Sequence, residues 1–224
     1  MNNNIILLFF LLLIFFFIIR VLIKKKENYT SKLPSCPTSK LSIIIPDGTE
    51  FIRRDQFSDC DNITGVTFNN DGKLIQIGMN SFYNCENLTG TIIIPASVKL
   101  ISNEAFTFSN ITELIFENSI SNPSQLEKIG VGAFDSNPIK GDLNIPKSVE
   151  QLLENAFYNT QFKSICFEEG SLLNDIGYET FGYMKYINKH IDIPESVTRI
   201  RNYAFTDSSI RSIKIPESAK NIHI

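Results

Sequence analysis

The stretch IIIPASVKLISNEAF, residues 92–106, carries the pattern that decides the fold: Ile-Pro, followed eleven residues after the proline by Phe. The pattern recurs at Ile45-Pro46, Ile145-Pro146 and Ile193-Pro194, with proline-free variants in between. A period of about 20–29 residues predicts a solenoid of stacked coils. We expect one phenylalanine per coil to form a buried spine, made of Phe57, Phe82, Phe106, Phe134, Phe157, Phe181 and Phe205.

Each copy also contains an apolar-x-apolar triplet, such as Ile43-Ile44-Ile45. Period-two alternation predicts a short strand whose flanking residues point inward and whose middle residue points outward. The outward ladder then consists of Ile44, Thr67, Ile93, Ile115, Asn144, Cys166, Asp192 and Lys214. Its members other than Cys166 form our candidate binding stripe, apolar in the amino-terminal half and polar in the other. β-propensity alone also explains isoleucine and threonine at these positions.

Two coil lengths alternate along the chain. Proline coils have eleven residues from Pro to Phe, whereas 14, 18 and 14 residues separate Phe68, Phe116 and Phe167 from their spine phenylalanines. The repeating unit is therefore a pair of coils, in which proline ends the strand because it lacks an N–H group. The longest spacing marks an insertion around residues 119–123, which we expect to form a loop.

The amino terminus is strongly apolar. Residues 5–19 are uninterrupted apolar residues, and only Arg20 breaks the run to residue 23. Such a helix would be about 28 Å long, close to the thickness of a hydrocarbon core. We interpret residues 1–26 as a transmembrane anchor with a basic flank, and residues 27–40 as a linker or amino-terminal cap. A cleaved signal peptide is the alternative, although a basic n-region and a small-residue cleavage site are both missing.

Two signals conflict over the side of the membrane. The basic residues all follow the apolar run, which favours a cytoplasmic repeat domain: Arg20, Lys24, Lys25 and Lys26. Four Asn-x-Ser/Thr acceptors favour a lumenal or extracellular domain: Asn28, Asn62, Asn87 and Asn110. The last three share one repeat position, so a polar turn in the repeat consensus is an equally good interpretation of them.

Composition narrows the function classes. A net charge of -3 and a pI near 5.5 give no reason to expect nucleic acid as a partner. Cys60 and Cys85 occupy the same repeat position, three residues after the spine phenylalanine. We interpret them as buried thiols, with a disulfide between adjacent coils as the alternative.

No motif for catalysis is found. His190 and His223 lack a partner at ligand spacing, so we predict no metal site and no catalytic residue. Gly130-Val131-Gly132 suits close backbone packing better than phosphate binding, and Asn69 to Gly72 lacks the acidic ligand of a calcium loop. The expectation is a protein without cofactors and without enzymatic activity.

The strings Ile94-Pro95-Ala96-Ser97-Val98, Ile101 to Phe106 and Cys85 to Thr89 resemble the BspA-like class of leucine-rich repeats. The resemblance covers residues 41–224, or about seven and a half coils. It implies an α/β-type, curved, right-handed solenoid with short parallel strands on one face. It also implies a surface-associated protein that binds partners or adheres, without catalytic residues.

The leading hypothesis is therefore a membrane-anchored recognition module that binds a protein or a glycan. One alternative is a structural protein that associates with itself through the carboxyl-terminal strand, Ile213-Lys214-Ile215, since an uncapped strand edge invites pairing. A cytoplasm-facing interaction scaffold is the other.

Overall fold

The structure, a computed structural model, describes residues 33–69 and 71–222. Residues 34–222 within it belong to one compact unit, which runs from Pro34 to Ile224. The predicted anchor, its basic flank, residues 27–32 of the linker (which include Asn28) and His223 lie outside the described residues. Across the part of the chain that is described, no helix has the length and hydropathy needed to cross a membrane.

Every coil contributes one long and one short strand. The long strands contain the predicted triplets or most of each: β1 (Leu41–Ile45), β3 (Ile63–Phe68), β5 (Thr89–Ile94), β7 (Asn110–Phe116), β9 (Asp142–Ile145), β11 (Ser164–Phe167), β13 (His190–Asp192) and β15 (Ser212–Lys214). The short strands have two residues each: β2 (Phe51–Ile52), β4 (Gln76–Ile77), β6 (Leu100–Ile101), β8 (Lys128–Ile129), β10 (Gln151–Leu152), β12 (Asp175–Ile176), β14 (Arg199–Ile200) and β16 (Asn221–Ile222).

The two kinds of strand build different sheets, which corrects the expectation of strands on one face only. The short strands form a continuous eight-stranded parallel sheet in the order β16-β14-β12-β10-β8-β6-β4-β2. The long strands pair only in twos, as β1-β3, β5-β7, β9-β11 and β13-β15. The first three pairs each join a proline coil to the proline-free coil that follows, whereas in the fourth pair β15 is itself followed by Ile215-Pro216. The two-coil unit is thus visible in the hydrogen bonding.

The segments around the spine phenylalanines are turns, so the α/β class expected from the resemblance is wrong for the described residues. Two positions in each turn, two residues before and two after the phenylalanine, have positive φ. A left-handed residue at each end interrupts a right-handed helix before one full turn forms. The fourteen positions are Asp55, Asp59, Asn80, Asn84, Glu104, Phe108, Gly132, Ser136, Asn155, Asn159, Glu179, Tyr183, Tyr203 and Asp207.

The seven spine phenylalanines stack in one column. Neighbouring ring centroids are 5.0 Å apart between Phe57 and Phe82 and 5.9 Å apart between Phe157 and Phe181, with nearly parallel planes along the middle of the column. All but Phe205 are almost completely shielded from solvent. Each phenylalanine side chain can bury about 150–250 Å², and single coils have no other means of covering this surface.

Glycine at the end of alternate short strands allows the coils to approach closely. A Cβ atom at Gly78 would lie 2.4 Å from the carbonyl oxygen of Ile52, and one at Gly130 would lie 2.6 Å from the amide nitrogen of Asn103. Gly177 repeats this contact with Glu154 at 2.6 Å. The Gly130-Val131-Gly132 motif therefore serves backbone packing between coils, in line with its sequence interpretation.

A disulfide joins Cys36 to Cys60, with their Cα atoms 5.8 Å apart. The interpretation of Cys60 as a free thiol is therefore wrong: Cys36 lies one coil period earlier and takes the place that a cysteine of a preceding coil would have. Cys85 is a buried free thiol that donates a hydrogen bond to the carbonyl oxygen of Phe57 at 3.0 Å. Burial raises the pKa of Cys85 to about 12.

Candidate functional site

All eight residues of the outward ladder are solvent-exposed, while the strand residues on either side of them are buried or half-buried. The strand pairing places them side by side as Ile44–Thr67, Ile93–Ile115, Asn144–Cys166 and Asp192–Lys214. The change from apolar to polar therefore falls between the second and third strand pairs.

The amino-terminal half of the ladder is an exposed apolar patch. Ile44 is 61% exposed, Ile93 is 51% exposed and Ile115 is 41% exposed. A groove of about 250 Å³ runs along the seam between β3 and β5, where the long strands are not paired. Its walls include Thr67 and Ile93, so two members of the predicted stripe border it.

The carboxyl-terminal half is a network of polar contacts. Lys189 Nζ lies 3.4 Å from Asp142 Oδ1, and Lys214 Nζ lies 3.9 Å from Glu195 Oε1. The Ser164 hydroxyl donates a hydrogen bond to Asp142 and lowers the pKa of that carboxyl, with Lys189 contributing further. Several polar groups of this half therefore contact one another.

The strand pairing also brings Ser212, His190 and Asp192 together, an arrangement that the sequence did not indicate. His190 Nδ1 lies 2.7 Å from Ser212 Oγ, and His190 Nε2 lies 3.3 Å from Asp192 Oδ1. The Asp192 side chain is 71% exposed, whereas a catalytic triad depends on a shielded carboxylate and an oxyanion site. The contact fits a surface polar cluster better than an active site.

Three of the predicted glycosylation acceptors form a ladder of side-chain hydrogen bonds. Asn62 Nδ2 donates to the carbonyl oxygen of Pro37 at 3.0 Å, and Asn87 Nδ2 donates to that of Asp61 at 2.9 Å. Asn110 repeats the bond to the preceding coil. Asparagine at this position therefore has a structural role in coil stacking. This role explains why the asparagine recurs, whether or not it carries a sugar.

A second groove, absent from the sequence interpretation, lies on the short-strand sheet. It has a volume of about 490 Å³ and crosses strands β2, β4, β6 and β8. Its polar and aromatic lining includes Phe51, Arg53, Arg54, Gln76, Ser102 and Lys128. A signal was present in the sequence, because Phe51, Gln76, Leu100 and Lys128 each precede the aliphatic residue that ends the second apolar pair.

No group of three or more His, Cys, Asp or Glu side chains within residues 33–69 and 71–222 is placed to hold a metal ion. Exposed aromatic residues occupy left-handed positions that asparagine, aspartate or glycine fill in most other coils: Phe108, Tyr183 and Tyr203. Lys185 Nζ lies 4.1 Å from the ring centroid of Tyr183, and Tyr158 stacks against the same ring at 6.0 Å.

Solved structures share this fold. A leucine-rich repeat protein from Bacteroides ovatus aligns with a TM-score of 0.64 and 23% identity, over 80% of this chain and 46% of the other. The pneumococcal vaccine antigen PcpA aligns with a TM-score of 0.55 and 24% identity, over 67% of this chain and 37% of its own. This chain thus spans less than half the length of either. No curated protein matches it.

The model of the BspA type leucine rich repeat region matches residues 35–122 and 117–224, with six copies of the repeat. The match covers nearly all of the described strands, so the matched repeats correspond to the coils of the solenoid. The chain belongs to the BspA-type leucine-rich repeat family.

Proposed function

We propose that this protein is a non-catalytic recognition module, held at a membrane by residues 5–23 and displayed at the cell surface, that binds a protein partner through the apolar half of its outward ladder. The observation that carries the proposal is the exposed row of Ile44, Ile93 and Ile115 beside the groove between β3 and β5. Contiguous exposed apolar surface of this kind marks partner sites, since its burial on binding is favourable.

A protein fits this patch better than a glycan does. Three isoleucines and the walls of the neighbouring groove offer apolar contact area, whereas sugars need a high density of hydrogen-bonding groups. Such groups are concentrated in and around the other half of the ladder, where several of them already contact one another. We expect the polar half to form the rim of the interface.

The Cys36–Cys60 disulfide supports display outside the cytoplasm. Disulfides persist in oxidising compartments and are rare in the cytosol. The Asn-x-Ser/Thr acceptors add little support for this location, because the Asn62, Asn87 and Asn110 side chains have a packing role. The basic flank at Arg20 and Lys24 to Lys26 opposes this orientation and leaves the cytoplasm-facing scaffold as the competing proposal.

Orientation is tested with the full chain expressed in eukaryotic cells. Membrane fractions are denatured and then treated with a thiol-reactive polyethylene glycol with and without prior reduction, so that the buried Cys85 can also react, and separately with an endoglycosidase. We expect two of the four cysteines to become reactive only after reduction, and Cys36→Ser to abolish that difference. Four thiols without reduction, together with no endoglycosidase-sensitive mass shift, would place the repeats in the cytoplasm.

The binding face is tested by photocrosslinking. A photoreactive phenylalanine analogue replaces Ile93 in one variant and Ile120, which lies in the inserted loop and is fully exposed, in a matched control. We expect a discrete crosslinked protein from position 93 only, displaced by excess unlabelled protein but not by the Ile44→Ser, Ile93→Ser, Ile115→Ser triple variant. Equal crosslinking at both positions, or displacement by the triple variant, contradicts the proposal.

Self-association is a second proposal. Within the described residues, β15 pairs with β13 and β16 pairs with β14, and neither is paired on its other side. A second copy could add strands there. Sedimentation of the full chain in detergent over a hundredfold concentration range tests this, and a constant molecular mass argues against it.

A further inference from the structure

The groove on the short-strand sheet has the dimensions of a ligand site. Its volume of about 490 Å³ falls within the usual range for small-molecule and oligomer sites, about 300–1,000 Å³. Because it crosses four neighbouring strands, it is about 14 Å long at a strand spacing of 4.7–4.9 Å. This length suits a short extended chain better than a single ion.

Positive charge is concentrated in this groove. Arg53, Arg54 and Lys128 line it, and none of the described residues that line it is aspartate or glutamate. Arg54 Nε lies 3.2 Å from Asp55 Oδ2, but both side chains are well exposed, and ion pairs of this kind are weak. A basic groove on a chain of net charge -3 is complementary to an anionic ligand.

An aromatic platform lies at the amino-terminal end of the groove. Phe51 is 50% exposed, although the next residue, Ile52, is almost completely buried. The register places Phe51 beside Gln76, then Leu100, then Lys128 on the outer surface of the sheet. Gln76 Nε2 donates to Ser102 Oγ at 3.0 Å, so these two polar groups are held in place within the groove that Phe51 also lines.

We propose that this groove binds an anionic saccharide, with Phe51 stacked on a sugar ring, Gln76 and Ser102 bonded to hydroxyl groups, and Arg54 and Lys128 in contact with sulfate or carboxylate groups. The site lies on a different sheet from the outward ladder, so it does not depend on the protein-binding face. The combination of a flat aromatic surface, fixed polar groups and spaced cations distinguishes a saccharide from an acidic peptide, which would have no use for the exposed ring.

The test uses full-length protein in a nonionic detergent and isothermal titration with a sulfated hexasaccharide. The comparison probes are an unsulfated hexasaccharide of the same backbone, a hexaglutamate peptide and inorganic sulfate. The variants are Phe51→Ala and the pair Arg54→Gln with Lys128→Gln. A matched control, Lys73→Gln with Lys220→Gln, removes two charges from exposed residues outside the groove.

We expect the sulfated hexasaccharide to bind most tightly, and each groove variant to raise its Kd about tenfold, since each removes a contact of the strength of a charge-assisted hydrogen bond or a stacked ring. The control pair should change Kd less than twofold. The proposal is overturned if no saccharide binds, if hexaglutamate binds as tightly and Phe51→Ala has no effect, or if the control pair weakens binding as much as the groove pair.

Discussion

The short-strand sheet and the long-strand face belong to the same coils but differ in continuity. The short strands, only two residues each, hydrogen-bond without interruption through eight coils, whereas the long strands are interrupted after every second coil at β3/β5, β7/β9 and β11/β13. The phenylalanine stack is also uninterrupted. The comparison teaches that the stack is held together by its short strands and its spine, which leaves the long-strand face free to vary from apolar to polar.

The largest effect is expected in the spine. Phe106→Ala would leave a cavity between Phe82 and Phe134 and remove two ring contacts, so it should lower the free energy of unfolding by about 3–5 kcal/mol. Urea unfolding followed by circular dichroism measures this. The control is Phe108→Ala, two residues later but 48% exposed, and a loss below about 1 kcal/mol for Phe106→Ala would refute the spine as the main support.

The disulfide should have the next largest effect. Cys36→Ser opens a crosslink between residues 24 apart and is expected to cost about 2–4 kcal/mol, because the unfolded chain gains conformational freedom. Thermal unfolding of the variant and of the reduced wild-type protein should agree. Cys166→Ser removes an exposed thiol from the long-strand face and should leave the melting temperature unchanged. If Cys166→Ser lowered the stability as much as Cys36→Ser does, the effect of Cys36→Ser could not be assigned to the disulfide.

Continuity of the short-strand sheet is tested at Gly78. Gly78→Ala places a Cβ atom against the carbonyl oxygen of Ile52, and the resulting shift of the backbone should cost about 1–3 kcal/mol. Thr67→Ala, on the long strand of the same coil and exposed, is the matched control. Chemical denaturation of both variants measures the difference. Equal stability of the two variants would mean that neighbouring coils are not tightly packed at Gly78.

The smallest effect is expected on the outward ladder. Ile93→Ser and Asn144→Ala change exposed side chains on the apolar and polar halves, and each should alter the free energy of unfolding by less than about 0.5 kcal/mol. Equilibrium unfolding of the two variants checks this. A larger loss for Ile93→Ser would show that the apolar half supports the fold, and the photocrosslinking variants would then need independent proof of folding.

Much of this fold was predictable from local pattern. The triplets predicted strands with outward middle residues, as seen from Ile43 to Ile45, because burial of one face imposes a period of two on the sequence. The pattern of Ile-Pro followed by Phe eleven residues after the proline predicted which phenylalanines would be aligned. The second sheet was not predicted, since a two-residue strand such as β4 carries too little periodicity and exists only through hydrogen bonds to its neighbours.

The groove at Phe51 escaped prediction for a related reason. Phe51, Gln76 and Lys128 are 25 and 52 residues apart, and although each precedes the aliphatic residue that ends a second apolar pair, this shared position does not reveal that their side chains line one groove. The register of the short strands brings them together. The contact of Ser212 with His190 has the same origin, through the pairing of β13 with β15.

The cysteines separate the two sources of information most clearly. The sequence by itself determined the period, and the spacings of 24 and 25 residues place Cys36, Cys60 and Cys85 at one position of three successive coils. Either neighbouring pair could form a bond on that basis. Only the tertiary structure decided that Cys36 binds Cys60 while Cys85 donates to the carbonyl oxygen of Phe57, because a disulfide depends on side-chain direction and distance, which a repeat period does not specify.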